Sequence, residues 1–245
     1  MMSHRIWIAA LLGAQLLMPG CGDGSHVGPS APDPARKAER DTMIERQIVA
    51  RGVKDPAVLR AMRTVPRHRF LANPGAAMAY WDGPLPIGHG QTISQPYIVA
   101  FMTEALRLFG DEKVLEVGTG SGYQTAVLAE LARDVFSIEV VPALAEHAAA
   151  RLKELGYTNV RVRTGDGRRG WPDAAPFDAI LVAAAPEQVP QPLLDQLAVG
   201  GRMILPLGEK SSQSLVLIRR TEHGYERTTL LPVAFVPMTG EAERK

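Results

Sequence analysis

A strand, a glycine-rich turn and a helix follow one another in residues 114–129, and this succession restricts the possible folds more than any other part of the sequence. The short apolar run at residues 114–117 is typical of a buried strand. Three glycines follow at alternate positions, and small apolar residues then recur as they do on the buried side of a helix. In open α/β sheets such a corner lies at the carboxyl end of a strand, where ligands bind. The chain is therefore predicted to form an α/β sheet with a ligand site above this turn.

The spacing of the glycines, Gly118, Gly120 and Gly122, argues against a dinucleotide as the ligand. The third glycine comes one residue earlier than in the G-x-G-x-x-G fingerprint that binds a pyrophosphate. Glu116, just before the turn, would also repel a pyrophosphate because both groups are negatively charged. A cationic or phosphate-free nucleoside suits this position better, and a tight turn without a ligand is the alternative.

Two further carboxylates follow predicted strands. The apolar run at residues 135–139 ends in Glu139, at the distance from the glycines where an acid can reach the hydroxyls of a ribose. Asp166 lies between two glycines after an alternating strand at residues 159–163, where it either accepts a hydrogen bond from an adenine amine or closes an Asx turn. A fourth buried strand is predicted at residues 177–185. Because the carboxyl ends of parallel strands meet at one edge, the three acids together favour a nucleoside site.

Residues 116–122 resemble the first motif of the class I S-adenosylmethionine-dependent methyltransferases. Residues 85–97, Gly165-Asp-Gly167 and Phe235-Val-Pro237 are together similar to the protein-L-isoaspartate O-methyltransferase family. The resemblance extends from about residue 36 to residue 245. It implies an α/β, Rossmann-like class I methyltransferase fold, with a mostly parallel doubly wound sheet, an N-terminal helical cover and a C-terminal antiparallel strand pair.

The resemblance also implies an activity. The chain would transfer a methyl group from S-adenosyl-L-methionine, leaving S-adenosylhomocysteine, to the α-carboxylate of isoaspartyl residues in damaged proteins, and the ester would then close to a succinimide. A carboxylate with a pKa of about 3.5 is ionised at neutral pH, so this chemistry needs no strong base and no metal. Two alternatives stay open: another class I carboxyl or small-molecule methyltransferase, and a non-catalytic, tethered cofactor-binding module.

The candidate site residues come from both lines of argument. The resemblance implies that Ser94 is the active-site residue, whereas its position before an apolar helix alone indicates a helix N-cap. A catalytic role for His89 is not expected. The predicted substrate-binding set is Ile93, Ser94, His89, Phe235, Val236 and Pro237. The predicted cofactor-binding set is Glu116, Gly118, Thr119, Gly120, Ser121, Gly122, Glu139, Asp166 and Gly167, and no metal site is predicted.

Residues 36–96 are predicted to form a helical cover and a substrate loop, ahead of a cofactor-binding sheet at residues 97–245. Asp55 is expected to cap a helix that has Pro56 at its first position. The charged side chains at residues 67–69 (Arg67 among them) are expected to be solvated rather than catalytic. Residues 80–96 contain so many glycines and prolines that an irregular loop is expected.

The first 35 residues lie outside the resemblance. An apolar run at residues 6–18, followed by Cys21, resembles a bacterial lipoprotein signal, so residues 1–21 are predicted to be a signal segment and residues 22–35 a flexible linker. Export with a lipid anchor on Cys21, an uncleaved anchor, and a start codon placed upstream of a cytoplasmic enzyme stay open, and the family resemblance favours the cytoplasm. A net charge of +1 gives no reason to expect a nucleic-acid partner, and a monomer is expected.

Overall fold

The computed structural model describes residues 34–72 and 75–240, so the predicted signal segment, Cys21 and most of the predicted linker lie outside the described residues. The helices are α1 (Lys37–Met43), α2 (Pro56–Thr64), α3 (Pro96–Leu106), α4 (Tyr123–Ala129), α5 (Pro142–Glu154) and α6 (Gln191–Gln196). The strands are β1 (Leu85–Gly88), β2 (Gln91–Ile93), β3 (Lys113–Val117), β4 (Asp134–Glu139), β5 (Val160–Thr164), β6 (Phe177–Val182), β7 (Leu197–Glu209), β8 (Ser212–Thr221) and β9 (Gly224–Val233).

Seven of these strands form one sheet in the order β5-β4-β3-β6-β7-β8-β9. The strands from β5 to β7 pair in parallel, and β7, β8 and β9 pair antiparallel, which confirms the predicted sheet and its C-terminal strand pair. The chain order reverses on the two sides of β3, which lies between β4 and β6. Such a reversal opens a crevice at the carboxyl ends of the central strands.

The central strand β3 is buried on both faces of the sheet. Successive side chains of a strand point to opposite faces, so Val114 packs with helices α2 to α4 while Leu115 and Val117 pack on the other face with Leu193 of α6. Continuous apolar burial of this kind is typical of a parallel sheet covered on both sides. Within residues 34–72 and 75–240, no helix is both long and apolar enough to cross a bilayer.

Within the predicted helical cover, helix α2 begins at the cap that the sequence indicates. Asp55 accepts hydrogen bonds from the amides of Ala57 and Val58, and α2 ends before Pro66. The expectation of a wholly irregular loop at residues 80–96 is wrong, because β1 and β2 form an antiparallel hairpin there. Its turn needs the two glycines, since residues 88–90 all have positive φ angles of 89°, 54° and 70°.

The C-terminal strands continue the sheet as the resemblance implies. β7 runs through Gly200 with a shift in its register against β6, and β9 ends at Val233. The chain then leaves the sheet edge, and Pro237 forms an isolated parallel bridge with Ala185, just beyond the end of β6. Residues 235–237 are thereby returned to the carboxyl ends of the central strands.

Candidate active site

A cleft of about 790 Å³, counted with its open mouth, lies over the carboxyl ends of β3, β4 and β6. Ten of the predicted site residues line it: Ile93, Ser94, Gly118, Thr119, Gly120, Ser121, Glu139, Gly167, Val236 and Pro237. Five do not, namely His89, Glu116, Gly122, Asp166 and Phe235.

The glycine turn forms one wall of the cleft. Gly118, Gly120 and Gly122 have φ angles of 96°, 53° and 87°, which side chains other than hydrogen rarely allow. A Cβ atom on Gly120 would lie 3.3 Å from Ile87, a residue of the hairpin, so the bare backbone keeps this narrow space open. A Cβ atom on Gly122 would instead meet Ala148 and Leu152 at 3.3 and 3.4 Å. Gly122 therefore allows close packing against α5. It does not line the cleft, contrary to its predicted contact with the cofactor.

Glu139 lies beside the glycine turn, at the end of β4. Its Oε2 accepts a hydrogen bond from the amide of Gly120 at 2.8 Å, and its Oε1 accepts one from the amide of Val141 at 2.9 Å. The side chain is only 5% exposed, yet it lines the cleft. Each carboxylate oxygen can accept more than one hydrogen bond, so Glu139 has acceptor capacity left for a ligand hydroxyl.

Glu116 is not in the cleft, which corrects its predicted contact with the cofactor. It is fully buried beneath the turn, where its Oε2 accepts hydrogen bonds from Thr125 at 2.5 Å and Ser137 at 2.6 Å. Ser137 in turn bonds the hydroxyl of Thr119, which does line the cleft. Burial raises the pKa of Glu116 to about 8, so its carboxyl is mostly protonated at neutral pH. A neutral hydrogen-bonded group therefore supports the turn from below.

Asp166 also lies outside the lining of the cleft. Its Oδ1 accepts a hydrogen bond from the amide of Arg168 at 2.9 Å and caps a short helical turn, which is the Asx alternative. Its neighbour Gly167 lines the cleft, and a Cβ atom there would lie 2.3 Å from Val117. Only glycine fits at residue 167 without displacing the side chain of Val117.

Ser94 lies where the hairpin ends, on the wall opposite the glycine turn. Its interpretation as the N-cap of α3 is wrong, because Gln95 occupies that position and no side chain caps the helix. The side chain of Gln95 instead donates to the carboxylate of Asp82 at 2.8 Å, which fixes the chain beside Ser94. The hydroxyl of Ser94 is therefore not used for a helix cap.

Arg67 holds Ser94 from behind, although it was expected to be solvated. It is completely buried, and its Nη2 donates to the carbonyl oxygen of Ser94 at 2.8 Å while its Nε donates to that of Ala79 at 2.7 Å. Its guanidinium also lies 4.9 Å from the ring centroid of Tyr123, which lines the cleft. The sequence offered one signal, an arginine directly after Val65-Pro66, but this pattern does not distinguish buried from exposed positions.

Residues 236–239 line the cleft on the same wall as Ser94. The amide of Ala185 donates to the carbonyl oxygen of Val236 at 2.8 Å, and the amide of Met238 donates back to Ala185 at 2.9 Å. The buried side chain of Gln213 accepts a hydrogen bond from the amide of Phe235 at 2.7 Å. Phe235 itself lines a neighbouring groove, which shares Ser94, Val236, Thr92 and Ala183 with the cleft.

His89 stands apart from both spaces. It is exposed at the turn between β1 and β2 and lines neither the cleft nor the neighbouring groove. Its predicted substrate contact therefore has no support from its position, because the hairpin carries it away from Ser94. Cleft-lining residues that the sequence analysis missed include Thr92, Tyr123, Gln124, Ala183, Ala184 and Met238. Ala183 and Ala184 could have been found, since they directly follow a central parallel strand.

The sheet order and the position of the cleft define a class I methyltransferase fold, and a solved structure agrees. The chain superposes on a candidate protein-L-isoaspartate O-methyltransferase from Plasmodium falciparum, in complex with S-adenosyl-L-homocysteine, with a TM-score of 0.72 and 26% identity, covering 83% of this chain and 97% of that one. The sequence model of the Protein-L-isoaspartate(D-aspartate) O-methyltransferase (PCMT) family matches residues 38–243 of this chain. The chain belongs to this family.

Bacterial relatives are closer in sequence. The chain is 58% identical to a protein-L-isoaspartate O-methyltransferase of Opitutus terrae over 208 residues, which cover 84% of this chain and 89% of the relative. It is 56% identical to one of Gloeobacter violaceus over 200 residues, covering 81% of this chain and 98% of the relative. The family match at residues 38–243 includes the residues of both walls of the cleft and is not confined to the glycine turn.

Proposed function

We propose that this chain is a protein-L-isoaspartate O-methyltransferase that methylates the α-carboxylate of isoaspartyl residues, with S-adenosyl-L-methionine as the methyl donor. The observation that carries the proposal is the meeting of two walls in one cleft. A glycine turn with an adjacent acid forms one wall, and Ser94 and Val236 lie on the other. A methyl donor on the first wall and a carboxylate on the second would face each other directly.

The residues on the first wall fit the donor. The bare backbone at Gly118 and Gly120 allows the close approach that a thin, extended ligand needs. Glu139 has free acceptor capacity suited to the ribose hydroxyls, and Gly167 also lines the cleft, where its main chain could contact the base. When bound, S-adenosyl-L-methionine supplies a methyl group on a cationic sulfur, which leaves without acid assistance.

The second wall needs only to orient an acceptor that is already ionised. Ser94 offers a hydroxyl donor, and its main chain is held by Arg67 and by the bond between Gln95 and Asp82. The groove that continues past Phe235 gives an extended peptide a path away from the reacting carboxylate. Holding the reactants in line can supply about 7–11 kcal/mol of the rate enhancement, so alignment and exclusion of water are the protein's main tasks.

The test uses matched peptides and donor carrying a labelled methyl group. One peptide has an isoaspartyl linkage, the second the normal aspartyl linkage, and the third an isoaspartyl linkage with its α-carboxylate blocked as an amide. We expect base-labile label in the first peptide only, with a preference of at least about a hundredfold over the second. Equal labelling of the first two would overturn the proposal, and donor binding without any labelling would favour a non-catalytic module.

The location of the enzyme is a separate proposal. We place it in the cytoplasm, because its methyl donor is made there and the resemblance favours it. Export with a lipid anchor on Cys21 is the alternative, since an apolar run and a small-residue linker precede the enzyme. Mass spectrometry of the N-terminal peptide from the native host distinguishes them: a lipid-modified Cys21 would overturn the cytoplasmic location.

A further inference from the structure

The guanidinium of Arg67 is a buried cation that lies directly behind Ser94, on the acceptor side of the cleft. It is 0% exposed and bonds the carbonyl oxygens of Ala79 and Ser94. It also lies over the ring of Tyr123, on the helix that follows the glycine turn. Ser94 and Tyr123 both line the cleft, so one layer of protein separates this charge from the ligand space.

This charge has no carboxylate partner within the described chain. Both acceptors that the guanidinium reaches are neutral carbonyl groups, and its Nη1 is buried without a hydrogen-bond partner there. Burial lowers the pKa of Arg67 to about 10, so the side chain stays protonated at neutral pH. An unpaired buried charge is costly, and a hydrophobic side chain of similar volume would often be more stable.

The neighbouring Arg69 shows that the position, and not the residue type, is unusual. Arg69 belongs to the same short helical turn, Arg67–Phe70, but its side chain is 37% exposed and paired with Glu154. It has a full counter-charge at the surface, whereas Arg67 has none inside. A missing counter-charge beside a ligand site is naturally supplied by the ligand, since the acceptor in the proposed reaction is a carboxylate.

We infer that Arg67 is a positioning residue for the acceptor: it fixes the main chain of Ser94, and its buried charge selects an anionic group on that side of the cleft. The inference rests on the proposed function and adds a reason why the second wall accepts a carboxylate. Arg67 acts through Ser94 and through space, so it is not itself a catalytic group. Replacing it should weaken recognition of the acceptor's charge and leave the donor's wall intact.

The test compares binding of two isoaspartyl peptides to enzyme saturated with S-adenosylhomocysteine, one with a free α-carboxylate and one with the neutral carboxamide. The ratio of their dissociation constants measures recognition of charge, and no catalysis is needed. In Arg67→Gln, which keeps a donor but loses the charge, we expect the preference for the carboxylate to fall about tenfold. In Arg67→Lys, which keeps the charge, the preference should change by less than about threefold.

Two controls separate this role from a structural one. Arg69→Gln removes an exposed charge from the same turn and should leave the ratio unchanged. The affinity of each variant for S-adenosylhomocysteine should stay within about threefold of the wild type.

Two outcomes would overturn the inference: an unchanged ratio of dissociation constants in Arg67→Gln, or an equal loss of affinity for both peptides and for S-adenosylhomocysteine. If Arg67→Gln does not fold, a tenfold loss of preference in Arg67→Lys would overturn it too. Failure of the proposed function is distinct, since the wild type itself would then not discriminate between isoaspartyl and aspartyl peptides.

Discussion

The two walls of the cleft are held in place by different kinds of contact. On the donor side, most of the contacts that hold the wall involve main-chain groups. β3 pairs with β4 and β6, the amide of Gly118 donates to the carbonyl oxygen of Ile138, and the amide of Gly120 donates to the carboxylate of Glu139. On the acceptor side, one isolated main-chain bridge between Ala185 and Pro237 is supplemented by separate side chains that bond the main chain. Arg67 bonds Ser94, Gln213 bonds Phe235, and Arg168 donates to the carbonyl oxygen of Met238 at 2.7 Å.

This difference shows how each wall can vary. A ladder of paired strands and a turn with positive φ angles tolerate few substitutions, so we expect the donor side to be rigid. For the same reason its residues form a short, contiguous sequence motif. A wall held by separate side chains can be moved by changing one of them, with little effect on the sheet. Substitutions on the acceptor side should therefore change turnover or acceptor affinity, and substitutions on the donor side should change cofactor affinity or stability.

The largest expected effect is on turnover, and it comes from the acceptor side. Ser94→Ala should lower kcat by about a hundredfold, because a small misalignment of the reacting carboxylate can reduce the rate by that much. The dissociation constant for S-adenosylhomocysteine should change by less than about twofold. Steady-state kinetics and calorimetry check the two values. A large loss of cofactor affinity would contradict the separation of the walls.

Ser121→Ala is the matched control, because its hydroxyl lines the same cleft on the donor side and accepts a hydrogen bond from the amide of Tyr123 at 3.3 Å. Its effect should be the reverse of that of Ser94→Ala. We expect a modest rise in the dissociation constant for the cofactor and an unchanged kcat with saturating donor.

The same contrast explains how far the sequence alone could lead. The glycine turn, Glu139 and the parallel strands were predictable because periodicity and a contiguous motif specify them. Arg67 could not be placed, because burial of an arginine depends on carbonyl groups from segments 12 and 27 residues away. Glu116 was misplaced for a related reason: strand alternation turns its side chain towards α4, where the hydroxyl groups of Thr125 and Ser137 both bond its Oε2.

The next largest expected effect is on cofactor affinity, and it differs between the acids that follow β4 and β5. Glu139→Gln should raise the dissociation constant for S-adenosylhomocysteine about tenfold, because the new amide cannot accept the hydrogen bonds of two main-chain amides and a ribose at once. Asp166→Ala should raise it by no more than about threefold, since Asp166 caps a turn outside the cleft lining. An equal effect at Asp166 would restore the predicted contact with adenine.

The smallest effect is a pH dependence of stability on the donor side. The pKa of Glu116 is raised by burial to about 8, above its ordinary value of 4.5, so the folded protein retains a proton that the unfolded chain loses. Stability from this group is complete below about pH 4.5 and declines as the pH rises towards 8. Between pH 6.5 and 7.5 the free energy of unfolding should fall by about 1 kcal/mol in the wild type.

Glu116→Gln should flatten this decline, because a glutamine side chain has no proton to lose. Urea unfolding of the donor-free protein at the two pH values measures the difference. A variant with the same slope as the wild type would show that Glu116 is ionised in the folded protein, and its support of the glycine turn would then be electrostatic.

The bridge between Ala185 and Pro237 has a consequence for the order in which the enzyme becomes complete during synthesis. A ribosome makes the chain from its amino end, so the glycine turn and Glu139 emerge well before residues 235–237. A nascent chain released from the exit tunnel only as far as β7 can pair its parallel strands but lacks one side of the acceptor wall. The donor wall is therefore complete before the acceptor wall. A peptide can be held between the two walls only after β8 and β9 have paired and residues 235–237 have reached Ala185.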